Sequence, residues 1–186
     1  MNKKFDMGAP LTLVVALCIG GITAWLSGNL MPLTMGVLMD GFKFSLEHAA
    51  VLLSVEMAGA AVLSLLISPF VGKMDLRKMA FIGGLVVISG QSMTAMATGY
   101  VPVGISRFIT GAGVGVLTAV LFAAIARTKE PERLMGLAEA VFVLTSAFLL
   151  VLLPYVISGF GPRSYFWGLA AFVLCTFWVF TWLPQS

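Results

Sequence analysis

The chain has 186 residues, of which 60% are hydrophobic and only 10% charged, with a mean hydropathy of +1.04. A water-soluble domain carries about 25% charged residues, so this composition excludes one and describes a polytopic membrane protein. The formal charge of +3 says little as a total, because in membrane proteins the placement of Lys and Arg matters and the sum does not; nothing in it points to nucleic-acid binding.

A spanning helix needs about 20 apolar residues. Uncharged runs cover 7–39, 79–106, 108–126, 140–162 and 164–186, and a sixth apolar stretch, 47–71, is interrupted inside only by Glu56. The expected fold is an all-α six-helix transmembrane domain, with spans at about 9–35, 47–71, 79–97, 102–126, 134–157 and 164–183. So many spans in one short chain leave almost nothing for loops, and no soluble domain to carry separate chemistry.

The first span exceeds what a ~30 Å hydrocarbon core requires at 1.5 Å per residue, so it should tilt or kink, with Gly28 and Pro32 as the candidate points. Thr12, Thr23, Ser27 and Thr34 lie within about 60° on its helical wheel. That stripe reads either as a small-residue packing seam or as a cavity wall. The N-terminus imitates a signal peptide, and Val15-Ala16-Leu17-Cys18 imitates a lipoprotein cleavage box. The apolar run continues well past signal-peptide length, however, and leucine stands where a small residue should precede the cysteine. Cys18 and Cys175 both lie in apolar spans and read as packing residues, with no disulfide framework or metal site.

An outer loop is expected over 39–48, ending in a Ser45-x-x-His48 helix start. His48 is the only histidine and reads as a solvated or interfacial residue at a helix mouth. In the second span, Glu56 is about ten residues, or ~15 Å, deep at the helical rise. An ionisable residue near the midplane is expensive there and is by default functional or paired. The third span holds Gln91, Ser92 and Thr94 towards its outer end and no charge.

The fourth span contains Arg107, the one arginine in a long apolar run. At about 100° per residue Gly104, Arg107, Gly111, Gly115, Thr118 and Phe122 share one face. Such a face lines a cavity or admits another backbone closely. Arg107 is ~9 Å from the outer end of its helix, a depth from which its side chain can reach Glu56, so the two are expected to pair. Glu139 lies close to the inner end of the fifth span, within reach of Arg133, Arg127 or Arg77, and reads as a structural ion pair with one of them. Tyr155, Tyr165 and Trp167 at one end, and Trp182 at the other, suit interfacial aromatic belts.

Arg107-Phe108, followed by Gly111, Gly113 and Gly115, and then Pro131-Glu132-Arg133 with Gly136 opening the next helix, resembles helix 4 and the 4–5 loop of the major facilitator superfamily. The loop 72–78 resembles that family's motif between helices 2 and 3, which has glycine, an acidic residue, glycine and two basic residues. Arg77 and Lys78 match the basic pair; Lys73 stands where the acid belongs, Leu76 replaces the second glycine, and Asp75 is acidic at a shifted position. Gly161-Pro162-Arg163-Ser164-Tyr165-Phe166 resembles the Gly-Trp-Arg-x-x-Phe entry to helix 6, with proline for tryptophan. The loop 39–48 resembles the first outer loop, in which a short acidic-glycine turn precedes helix 2. The glycine-rich Gly-Pro motif of the family's antiporters is missing from the fifth span, which argues against the classical proton-coupled drug antiporters though not against export.

What the resemblance implies is the N-terminal six-helix half of a secondary transporter for a small solute, truncated or pairing with a second half, with helices 3 and 6 as peripheral supports. Each such half is itself two inverted three-helix repeats. It implies Arg107 as a substrate or coupling residue, with protons as a candidate coupling ion; with the intramembrane Glu56 and the small or polar faces of Thr23, Ser27, Gly111, Gly115 and Thr118, it makes up the substrate or coupling candidates, while Asp75, Arg77, Lys78, Arg133 and Glu139 are gating-loop candidates. The alternative is an independent six-helix channel or membrane scaffold. No enzyme activity, metal or cofactor is expected: intramembrane proteolysis would need a histidine within the membrane or paired histidines on one helix. Lys3, Lys4, Lys73, Arg77, Lys78, Arg127, Lys129 and Arg133 fall at one set of helix ends, and only Lys43 and Arg163 at the other. Both termini are therefore expected in the cytoplasm, the chain in a plasma membrane, the bacterial inner membrane, and its partners the lipid bilayer, a small-molecule substrate, and a second six-helix half or another copy.

Overall fold

The computed structural model describes residues 10–183; Lys3 and Lys4, which the orientation reading uses, lie outside the described residues. Six helical spans are long and apolar enough to cross a membrane among those residues. The helices are α1 (Leu11–Asn29), α2 (Met31–Phe42), α3 (Leu46–Val71), α4 (Leu76–Met96), α5 (Tyr100–Ala126), α6 (Pro131–Phe160) and α7 (Ser164–Thr176), the last continued by a 3-10 turn, Phe177–Trp182.

The first span is divided between α1 and α2. The backbone leaves helical geometry at Leu30 (φ −86°, ψ 10°), midway between the two expected points. Pro32 has no N–H to offer the Gly28 carbonyl, while Leu30 N–H to Leu26 O (3.0 Å) and Thr34 N–H to Leu30 O (2.8 Å) carry the chain across. The expected 39–48 loop is much shorter than its glycine and acid suggested. Residues through Phe42 stay helical, Lys43 closes α2 in the left-handed region (φ 59°), and Ser45 already caps α3, accepting from the His48 N–H at 3.2 Å. Gly41 serves contact rather than a turn: a Cβ there would come within 2.6 Å of Pro162 Cβ.

Helices α3 to α6 begin one to three residues before their expected starts, and α6 also ends later than expected; several of these boundaries have a local cause. Asp75 caps α4, accepting from the backbone N–H of Arg77 at 3.0 Å and of Lys78 at 3.4 Å, so α4 starts before residue 79. Pro131 sits in the first turn of α6, where its missing N–H costs nothing. Gly161 ends α6 with φ 86°, a conformation open to glycine at little cost.

Helix α5 is the axis of the bundle, packed mainly against α3 and α4, and its glycines set the spacing. A Cβ on Gly111 would collide with the Glu56 carbonyl oxygen of α3, and one on Gly113 would lie 2.7 Å from the Gly83 carbonyl oxygen of α4. Such close backbone approach is how helices associate in lipid, where no hydrophobic force separates them from the tails. Helix α4 packs in turn on α7, and α1 on α6. Helices α3 and α6 are the least enclosed: 22% and 17% of their most apolar stretches are buried, against 61% for α1 and α5. Their free faces are apolar, with Leu65, Phe70, Leu144, Phe148 and Val151 all exposed; in a membrane these residues contact lipid or another helix.

Candidate functional site

Two polar regions occupy the bundle, and the first is closed. Glu56 and Arg107 are 1% and 0% exposed and pair at 3.2 Å (Nη1 to Oε2), as their depths suggested. The other Glu56 oxygen accepts a hydrogen bond from the Ser27 hydroxyl. Arg107 needs more acceptors than one carboxylate supplies, since guanidinium carries five N–H donors, and α4 provides them. Its Nη2 donates to Gln91 Oε1 at 2.8 Å and to Thr94 Oγ1 at 2.7 Å, and its Nε to Thr94 Oγ1 at 3.1 Å. Thr110, one turn along α5, accepts from Nη2 at 3.2 Å, and the Phe166 ring of α7 lies under the guanidinium at 4.9 Å.

Local helix geometry explains why these side chains meet. Gln91 and Thr94 are three apart on α4, and Arg107 and Thr110 three apart on α5, so each pair projects from one face. Gly90 lets the two faces close, its missing Cβ lying 2.7 Å from the Thr110 backbone nitrogen. The outcome is a network that joins α1, α3, α4, α5 and α7 with no opening. Two buried charges taken from water cost several kcal/mol each unless paired and hydrogen-bonded, and here both are. Chemically the arrangement pairs a buried carboxylate with a buried guanidinium and ties these helices together.

The second region is a cavity of about 530 Å³ between α1, α3, α5 and α6. Trp25, Asn29, Ser64, Thr118, Phe122, Phe142 and Glu139 all line it, and among the described residues Glu139 is the one charged residue in its lining. Trp25 packs against Phe142 edge-on, centroids 5.5 Å apart and planes at 72°, and against Phe122 at 5.8 Å. Glu139 and Phe142 are one turn apart on α6 and so share a face. Ser64 donates to the Gly115 carbonyl at 2.9 Å, which marks the end of the tight α3–α5 crossing and the start of the opening.

The residues expected as a single set are thereby sorted. Glu56, Arg107 and Ser27 belong to the closed network. Gly111 and Gly115 lie in the α3–α5 seam against the Glu56 and Ala60 backbones, and Thr23 ties α1 to Thr176 at 3.1 Å. Thr118 and Glu139 line the cavity. Of the first-span stripe, Thr34 on α2 is buried and meets the Tyr165 hydroxyl at 2.6 Å, whereas Thr12 is exposed at the start of α1.

The expectation that Glu139 forms an ion pair with a loop cation is not met. Among the described residues it has no ion-pair partner within 4.0 Å, because those cations are engaged elsewhere. Arg133 pairs with Glu130 at 3.1 Å, Arg127 donates to the Gly72 carbonyl at 3.1 Å at the C-terminus of α3, and Arg77 donates to the Leu183 carbonyl. Helix carbonyl ends carry partial negative charge and compete for such cations. Of the other gating-loop candidates, Asp75 is the cap of α4 and Lys78 is exposed.

Gln91, Thr94 and Thr110 escaped the sequence reading as partners of Arg107. The available signal was stoichiometric: a buried guanidinium with one carboxylate must find further acceptors. Trp25, Asn29, Ser64 and Phe142 had no signal, since isolated aromatic or small polar residues are common in spans. No group of three His, Cys, Asp or Glu side chains placed to hold a metal ion lies among the described residues.

Residues 14–186 match the family model of the Major Facilitator Superfamily. No curated protein matches the chain. Among solved structures it is similar to the peptide transporter POT in complex with sulfate, with a TM-score of 0.72 at 14% identity over 97% of this chain and 39% of that one. A mutant of the same transporter in complex with alafosfalin gives 0.73 at 16% identity, covering 96% and 39%. The chain thus spans about two fifths of the length of these structures, and the likeness shows a shared fold.

Proposed function

The chain belongs to the Major Facilitator Superfamily, and we propose that it carries a small solute across the membrane as one six-helix half of a secondary transporter. The observation that carries this reading is the cavity of about 530 Å³, walled by α3 and α6, the two spans whose faces are least enclosed. In this superfamily two six-helix halves pack side by side about an axis along the membrane normal, and substrate passes between them. A second half placed against α3 and α6 turns the one-sided cavity into a path. The closed Glu56–Arg107 network then acts as the rigid core that lets this half rock as a unit. Both termini face the cytoplasm in this reading, supported by the cations at the 72–78 and 127–133 turns.

The test is flux in liposomes holding this chain together with a second six-helix half, with labelled peptides, sugars and organic ions as the panel. Peptides are included because the similar structures are of a peptide transporter. Saturable flux of at least one solute, lost when Ala61→Trp fills the cavity, is expected. Absence of flux for every solute overturns the proposal, and so does non-saturating conductance that survives Ala61→Trp, which would favour the channel reading.

A further inference from the structure

We propose that the cavity between α1, α3, α5 and α6 is a binding site for an aromatic or amphiphilic organic cation, held by the Glu139 carboxylate and the Trp25, Phe122 and Phe142 rings. This inference rests on the transport reading for its physiological meaning, but the site itself is defined by its lining. Its volume of about 530 Å³ lies in the range of small-molecule pockets, roughly 300–1,000 Å³.

Three features select the charge sign. Glu139 is the only charged residue in the lining among the described residues. Arg107, which could attract an anion, is 0% exposed and sealed behind its own partners, while Arg127 and Arg77 bind backbone carbonyls at the bundle end. A carboxylate on a membrane-spanning helix is costly without a counter-charge, and Glu139 has no ion-pair partner among the described residues, so a cation entering the cavity supplies one.

The second element is aromatic. Trp25 is clustered with Phe142 and Phe122 at centroid distances of 5.5 and 5.8 Å, which places ring edges and faces around one space. Ring faces attract cations through their quadrupole, indole most strongly. The same rings offer apolar area to a bulky substituent, whereas a small hydrated ion would find too few oxygen ligands. Asn29, Ser64 and Thr118 supply the few polar contacts that orient a bound molecule.

The probe pair is tetraphenylphosphonium and tetraphenylborate, nearly identical in shape and opposite in charge, measured by equilibrium dialysis against the 186-residue chain in nanodiscs of zwitterionic lipid. Saturable, competable binding of the phosphonium alone is expected, with Glu139→Gln weakening it about tenfold or more. Glu139→Asp should retain most of the affinity, and Trp25→Ala should lose several-fold. Should Glu139→Gln fail to fold, the Glu139→Asp and Trp25→Ala pair still decides. Absence of saturable phosphonium binding, equal binding of the borate, or unchanged affinity in folded Glu139→Gln overturns the inference. Phosphonium binding in a protein that supports no flux keeps this inference and removes the transport reading. Flux of other solutes without phosphonium binding does the reverse.

Discussion

Glu56 and Glu139 are both carboxylates on membrane-spanning helices, yet their surroundings are opposite. Glu56 sits where α3 crosses α5 at glycine distance, 1% exposed, with Ser27 and Arg107 on its two oxygens. Glu139 sits where α6 stands apart from α3, on a cavity wall with aromatic neighbours and no cation among the described residues within ion-pair distance. The difference teaches that intramembrane charge alone does not mark a substrate site. A charge whose neighbours satisfy it needs no ligand to be buried, whereas a charge facing a cavity without an ion-pair partner is open to one.

The comparison breaks most visibly at the closed pair. Removing one partner leaves an uncompensated buried charge, so Arg107→Gln or Glu56→Gln should each cost about 3–5 kcal/mol, read as lost folding yield and a lower unfolding temperature in detergent. The double variant should lose much less than the sum, because contacting residues are not additive. Strictly additive losses would show that the pair contributes nothing as a pair. In a protein completed by a second half, a double variant that still transports marks a structural lock, while a folded but inactive one marks a coupling role.

A smaller effect is expected at the seam that keeps the first region shut. Gly111→Val forces a side chain against the Glu56 carbonyl and should cost about 1–3 kcal/mol as overpacking does. Gly36→Ala, where an added Cβ meets nothing within 4 Å, should be neutral or slightly stabilising, since alanine exceeds glycine in helix propensity by up to ~1 kcal/mol. Equal destabilisation of the two variants, measured by thermal unfolding, would show that close approach is not what holds α3 to α5.

The smallest effect sharpens the contrast. Glu139→Gln removes no ion pair among the described residues and relieves the cost of an unpaired charge on a spanning helix, so it should leave stability unchanged or raise it by about 1 kcal/mol. A loss as large as that of Glu56→Gln would mean that Glu139 is structural after all and that the two carboxylates belong together.

Much of this was legible from the residues in order. The apolar runs give the spans because a ~30 Å core must be crossed with every backbone group hydrogen-bonded within the helix. The Glu56–Arg107 pair was legible too, since two charges at similar depth on neighbouring spans have almost nowhere else to go. The glycine-rich α5 and the basic turns carry the family resemblance, which the match over residues 14–186 bears out. The end of α2 was misjudged because Asp40 and Gly41 have turn chemistry, whereas Gly41 is spent on contact with Pro162.

Only the tertiary structure decided which polar residues are enclosed and which are open. A helical wheel assigns each side chain an angle on its own helix, so Arg107, Gly111, Gly115 and Thr118 looked alike. Whether a neighbouring backbone lies at that angle, and how close, depends on where two helices cross. At Gly111 and Gly115 α3 fills the space; at Thr118 it has diverged, and the same face becomes a cavity wall. The fate of Glu139 was decided in the same way, by partners elsewhere in the fold: the Gly72 and Leu183 carbonyls take Arg127 and Arg77, and Glu130 takes Arg133.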